Sequence, residues 1–248
     1  MKKNKSNTKK KKRIWIPFAA VFGPFLLMVL YSFIWTLFYY RPDSVAMEAM
    51  KSDDKVTVSE TDYGWFFDGP SEDTAMIFYP GAKVEETAYA PLLKDLAGEG
   101  IDVCLVKMPM RLAVVNPNVA DEVMKQYDYS AWYMAGHSMG GAVAAYYEAE
   151  HSDEFEGVIM LAAYPTKSLA KDDKALLLVG SEDGVIRRKK ITEGRKYASD
   201  IYEEIEIVGG NHAQFGSYGK QKGDGEASIS AEEQRKQTVE EILKLIQQ

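Results

Sequence analysis

Gly136-His137-Ser138-Met139-Gly140-Gly141 decides how this chain of 248 residues is read. It follows the apolar run Trp132-Tyr133-Met134-Ala135 and opens a stretch of small residues reaching Glu148, so a buried strand is expected to turn directly into a helix at Ser138. At such a turn the serine is held in a strained conformation with Oγ projecting above the sheet. Glycines two positions before and after it let the neighbouring backbone pass. The helix start then sets the Met139 backbone N–H and the positive end of the helix dipole beside the serine. A bare G-x-S-x-G is common by chance; between a predicted strand and a predicted helix it becomes a strong signal for a nucleophile.

The chain on either side alternates short apolar runs with helical stretches. Val56–Glu60 and Tyr63–Phe67 read as an antiparallel pair at a sheet edge, followed by the strand Ala75–Tyr79. A helix with Leu92, Leu93 and Leu96 on one face closes at Gly98 and Gly100, and the strand Ile101–Val106 follows. Residues 117–126 are expected to be helical with Pro117 in the first turn. Gly157–Ala163 and Ala175–Val179 are continuous apolar runs, as central strands covered on both faces require. A helix near 186–199, a strand near 203–208 and a last helix opened by Ser230-Ala231-Glu232-Glu233 complete the pattern, the last with Val239, Ile242, Leu243 and Ile246 as its core stripe. Such alternation predicts an α/β fold with a mostly parallel central sheet and helices on both faces.

The strand–elbow–helix constellation resembles the α/β-hydrolase fold, over nearly all of residues 55–248. Tyr79-Pro80-Gly81-Ala82, the Gly136–Gly141 elbow and Gly210-Asn211-His212-Ala213-Gln214-Phe215-Gly216 together resemble the alpha/beta hydrolase fold-5 group, which is dienelactone-hydrolase-like and often membrane-tethered in bacteria. The resemblance implies a Ser-Asp-His triad in that chain order. Ser138 is the serine. Of the three histidines, His137 adjoins Ser138 with its ring directed away from it, and His151 ends the post-elbow helix as a surface or capping residue. His212 lies in a glycine-rich loop after the strand Ile205–Val208, where the resemblance places the base. The acid is expected in Gly180-Ser181-Glu182-Asp183-Gly184, as Asp183, with Glu182 a solvated neighbour; Asp172 and Asp173 precede their strand and lie at the wrong end of the sheet. Asp183 on the far ring nitrogen of His212 would fix its tautomer. The oxyanion hole is expected to use the Met139 N–H and a second donor from the loop after Tyr79. Pro80 has no N–H, so Ala82 and Lys83 are the candidates.

A serine nucleophile excludes the carboxylate-dependent dehalogenase and epoxide-hydrolase chemistries of the fold, and the dienelactone likeness does not carry its substrate across. The segment Tyr164–Lys174 is too short to hold a lid domain. Met108, Met110 and Arg111 follow a strand at its carboxyl end, where substrate binds in open α/β sheets. Core packing for the methionines and a surface salt bridge for Arg111 are the plain alternatives. The loop Ala213–Gly225, with Phe215, is expected to shape one rim of the pocket. Gly223-Asp224-Gly225 lacks the further oxygen ligands of a calcium loop, so neither a metal nor any other cofactor is expected.

Three charge environments surround this domain. Residues 1–13 hold eight basic side chains and no acid, and residues 14–40 hold no charge. Removing those eight from the 30 Lys and Arg leaves 22 against 37 acids, a net charge of −15 for residues 41–248. Twenty-seven uncharged residues with Trp15, Trp35, Tyr39 and Tyr40 at their ends suit a transmembrane anchor. The basic tail then stays cytoplasmic, residues 41–54 form a linker, and the domain lies outside the cell membrane. The rival is a signal peptide cleaved after Ala46, whose apolar region would be about half as long. An acidic body argues against nucleic acid as its partner. Cys104 is the only cysteine and is expected in the core, which excludes an internal disulfide. The expected activity is that of a membrane-anchored serine hydrolase on a small-molecule ester, thioester or related acyl bond. Acyl transfer by the same triad and a non-catalytic binding domain are the alternatives. Oligomeric state is not legible.

Overall fold

The computed structural model describes residues 22–30, 34, 38–70 and 73–247. The chain divides into two units, Met1–Phe38 and Tyr39–Gln248. In the first, residues 22–30 are helical with Phe25, Leu26, Leu27 and Met28 more than half exposed. The basic tail and most of the 14–40 run lie outside the described residues. Among the described residues no helix is long and apolar enough to cross a membrane.

The second unit is built on one eight-stranded sheet, β1 Thr57–Thr61, β2 Gly64–Asp68, β3 Thr74–Tyr79, β4 Asp102–Val106, β5 Ala131–His137, β6 Gly157–Leu161, β7 Lys174–Gly180 and β8 Ile201–Ile207. Their spatial order is β1-β2-β4-β3-β5-β6-β7-β8. β1 pairs antiparallel with β2, in the register Thr57 opposite Asp68, and β2 antiparallel with β4; every pairing from β4 to β8 is parallel. The apolar runs have a period-two explanation. β7 sends Leu176 and Leu178 into the core on one face of the sheet and Ala175, Leu177 and Val179 into the core on the other, so both alternating sets must be apolar. Cys104 is fully buried in β4, where it accepts a hydrogen bond from the Tyr63 hydroxyl and burial pushes its thiol up to about 12.

Among the described residues of this unit six α-helices accompany the sheet: α1 Ser44–Ala49, α2 Ala90–Gly98, α3 Ala120–Met124, α4 Met139–Glu148, α5 Arg188–Gly194 and α6 Ala231–Ile246. Residues 41–54, expected as a linker, are folded onto the domain. Asp43 caps α1 by accepting from the Val45 and Ala46 N–H groups, and Ala46 is fully buried. Tyr40 extends the attachment, its N–H donating to Lys83 O at 2.7 Å and its carbonyl accepting from Glu85 N–H at 2.9 Å. The 117–126 helix is shorter than expected. The Tyr79 hydroxyl donates to Pro117 O (2.7 Å) and accepts from Ala120 N–H (3.3 Å), so the helix starts at Ala120 and Pro117 stays outside it. In α6 the Ser230 hydroxyl accepts from Glu233 N–H, and the buried stripe is Gln234, Thr238, Val239, Ile242 and Leu245, with Leu243 and Ile246 on its margin.

At the end of the sheet remote from Ser138, Glu148 at the close of α4 is fully buried beside Asp173. Burial, reinforced by the Asp173 carboxylate, pushes Glu148 up to about 9. Its folded value lies above its unfolded one, so the folded state holds the extra proton. That contribution to stability is complete below about pH 4 and is lost as pH rises towards 9, by up to about 1.4 kcal/mol per pH unit. Glu148→Gln, which keeps the shape of the protonated acid, is expected to flatten this decline. Urea midpoints at pH 6 and pH 9 check it, and parallel declines in the two proteins would contradict it.

Candidate active site

Ser138 links β5 to α4 with φ +53° and ψ −121°, a left-handed conformation that non-glycine residues rarely adopt. The flanking glycines have a steric reason: a Cβ on Gly136 would lie 2.7 Å from the Gly141 nitrogen, and one on Gly140 would run into the Tyr79 carbonyl. Ser138 N–H donates to Leu161 O at 2.8 Å, tying the elbow to β6.

Asp183 and His212 are brought together from the loops after β7 and β8. His212 Nδ1 lies 2.7 Å from Asp183 Oδ2, with both side chains buried. The other carboxylate oxygen, Asp183 Oδ1, accepts the Val185 and Ile186 N–H groups, each at 2.8 Å. The carboxylate is therefore held at both oxygens. His212 Nε2 is buried and has no hydrogen-bond partner among the described residues. Ser138 and His212 line the same cavity of about 250 Å³. Glu182, the neighbouring acid, is exposed and accepts from the Ser181 hydroxyl instead.

Several residues that sequence reasoning passed over hold this arrangement. The Asp224 carboxylate accepts N–H groups from Gly184 (3.1 Å) and Ala213 (2.8 Å), clamping the acid loop to the histidine loop. Gln234 of α6 grips Asn211 at both backbone groups, accepting from its N–H at 2.9 Å and donating to its carbonyl at 2.8 Å. From the sequence Asp224 reads only as part of an incomplete calcium loop. Among the described residues no group of three or more His, Cys, Asp or Glu side chains is placed to hold a metal ion.

His137 is a member of the same network. Its Nδ1 is hydrogen-bonded to the buried Tyr89 hydroxyl at 2.8 Å, and its ring centroid is 4.5 Å from that of His212. Burial, with His212 nearby, holds His137 well below the usual histidine range, so it is neutral. Tyr89 also accepts the Gly81 N–H at 3.0 Å. One hydroxyl thus joins the loop after β3 to the strand end carrying Ser138. Tyr89→Phe leaves a buried N–H and a buried ring nitrogen unpaired, at a cost of roughly 1–3 kcal/mol. The expected result is a lowered urea midpoint together with a fall in kcat larger than any change in KM; an unchanged kcat would deny the tyrosine this positioning role. His151 does not end α4 but lies three residues beyond it, half-buried, with its Nδ1 2.9 Å from Tyr147 O.

The two candidates for a second oxyanion donor differ. Lys83 N–H donates to Arg111 O at 2.9 Å and is committed. Ala82 N–H and Met139 N–H have no such partner among the described residues. The expected pocket residues lie elsewhere than the cavity at Ser138. Met108 is buried in the core, and Met110 is 44% exposed on a separate turn. The Arg111 guanidinium lies over the Tyr39 ring, 3.5 Å from its centroid, and 4.0 Å from Glu85. Phe215 is buried with its ring 5.8 Å from that of His137. The cavity is walled instead by Ala162, Ala163, Tyr164, Val185, Ile186, Arg187 and Lys190. Arg187 and Lys190 come from the predicted helix near 186–199, and no motif in that stretch signals that it reaches the serine. The connection from β6 to β7, residues 162–173, contains no lid.

Residues 75–236 match the model of the alpha/beta hydrolase family. No curated protein matches the chain. Among solved structures, the chain is similar to a predicted CIB-like hydrolase from Thermoplasma acidophilum (16% identity, TM-score 0.55, covering 75% of this chain and 98% of that one). It is similar also to Est1E from Butyrivibrio proteoclasticus (16%, 0.54, 79% and 100%). A third likeness is to alpha/beta hydrolase domain-containing protein 10 from mouse (10%, 0.55, 78% and 98%).

Proposed function

Because the chain belongs to the alpha/beta hydrolase family, we propose that it is a serine hydrolase acting on an ester, thioester or related acyl bond. Ser138 Oγ attacks the acyl carbon as His212 Nε2 takes its proton, and Asp183 stabilises the imidazolium through Nδ1. The oxyanion is received by the Met139 and Ala82 N–H groups. Collapse expels the leaving group, which takes the proton from His212, and leaves an acyl-Ser138 ester. Water, deprotonated by His212, then releases the acid and restores the serine. The observation that carries this reading is the buried 2.7 Å Asp183–His212 pair whose imidazole shares a cavity with a serine at φ +53°.

Covalent labelling by a fluorophosphonate probe tests the reading. Labelling is expected in the wild-type chain and not in His212→Ala; a folded wild-type protein that stays unlabelled would sink the proposal.

We also propose that residues 14–40 anchor the chain in the cell membrane with residues 1–13 cytoplasmic and the hydrolase domain outside. The support is the uncharged length, the basic flank and the exposed apolar side chains of residues 22–30. Cleavage after Ala46 would cut within a packed helix, which favours the uncleaved form. A chain reduced to residues 39–248 is expected to leave the membrane fraction while the full chain stays in it, and added protease should reach the domain of intact cells only from outside.

A further inference from the structure

Four consecutive cations, Arg187 to Lys190, interrupt a domain whose net charge is −15. Three of them have carboxylate partners. Arg188 pairs with Glu206 at 2.9 Å and donates to Gly180 O, which fixes it against the end of β7. Lys189 and Lys190 share the single carboxylate of Glu193, at 3.8 and 2.8 Å. Three cations thus share two carboxylates. Arg187 is the member with no ion pair among the described residues, and it lies on the wall of the Ser138 cavity, with Lys190 next to it. No Asp or Glu lines that cavity; besides Ser138, His212 and these two cations its wall is apolar, with Met139, Ala142, Ala162, Val185 and Ile186, and carries the Tyr164 ring.

From this geometry we infer that the hydrolase takes an anionic acyl substrate, an ester with a carboxylate or similar group a few bonds from the scissile carbonyl, received by Arg187 at the cavity wall. The inference rests on the serine-hydrolase reading above and goes beyond it. A guanidinium without a partner offers two parallel N–H donors to a carboxylate. The small apolar wall passes the methylene chain between that contact and Ser138. Against a domain of net charge −15, the positive charge at this wall attracts an anion to the Ser138 cavity.

The test uses the full chain and two esters with the same number of acyl carbons, 4-nitrophenyl pentanoate and mono-4-nitrophenyl glutarate. The readout is the ratio of their kcat/KM values. The wild-type ratio is expected to favour the glutarate ester and to fall as salt is raised. Arg187→Gln is expected to lower the ratio roughly tenfold and Arg187→Glu to lower it further. Lys189→Gln, which removes the same charge from the patch away from the cavity, should leave the ratio unchanged. A ratio that Arg187→Gln does not move, or that Lys189→Gln moves equally, overturns the inference. So does turnover of neither ester by protein that the fluorophosphonate labels. Absence of labelling sinks the serine-hydrolase reading itself, and the inference with it.

Discussion

Replacing Ser138 by alanine is expected to lower turnover by a factor on the order of 10⁶, since a triad fails almost completely when its nucleophile is removed. The variant should fold, because no hydrogen bond of the Ser138 side chain holds the elbow; the turn is fixed by Ser138 N–H on Leu161 O and by the packing of α4 on β5 and β6. Alanine at φ +53° is as strained as serine there. Glycine is not, and Ser138→Gly is therefore expected to be equally inactive yet more stable, by up to about 1 kcal/mol after glycine's own entropic cost. Ester turnover and urea midpoints on the two variants read these effects separately. Residual activity above a hundredth of wild type in either one would show that Ser138 is not the attacking group. A Ser138→Gly variant no more stable than Ser138→Ala would show that the elbow stores no strain.

The elbow was legible because three independent requirements fall on six adjacent residues: a strand period before it, small residues after it, and glycine where backbone segments meet. The parallel sheet was legible for a related reason, since Ala175–Val179 must be apolar on both faces of β7. What escaped was fixed by contacts distant in sequence. Nothing near Tyr89 announces that its hydroxyl meets Gly81 and His137, and nothing in Gly223-Asp224-Gly225 announces that its carboxylate binds backbone from residues 184 and 213. Arg187 reads as one more charge on a solvated helix until the loop after β7 brings it to the serine. Met108 and Arg111 were misplaced for the opposite reason. They follow the carboxyl end of β4, which two strands separate from the Ser138 cavity on the β6 and β7 side, and local packing against Tyr39, Glu85 and the core claims them. The 41–54 segment looked like a linker because its composition is polar, yet one capped turn and one buried alanine were enough to seat it.

Asp183→Asn should cost about 10⁴ in kcat while leaving the fold intact, and the geometry says why. Two backbone donors, Val185 N–H and Ile186 N–H, both point at Oδ1. An asparagine must place its carbonyl oxygen there, because an amide NH₂ in that position would oppose two donors. Its NH₂ then occupies the Oδ2 position, 2.7 Å from His212 Nδ1, as a donor. Nδ1 is forced to accept, so the proton of neutral His212 moves to Nε2, the nitrogen required to take a proton from Ser138. The imidazole is still in place and wears the wrong tautomer. Raising the pH does not repair this, since the neutral ring is already the inactive form, whereas a variant that merely weakened the base would regain rate at higher pH. The expected observation is a loss of about 10⁴ that persists in the plateau of the pH–rate profile, with KM little changed. Recovery of wild-type kcat at high pH, or a loss below tenfold, would mean that His212 is not held in its tautomer by Asp183.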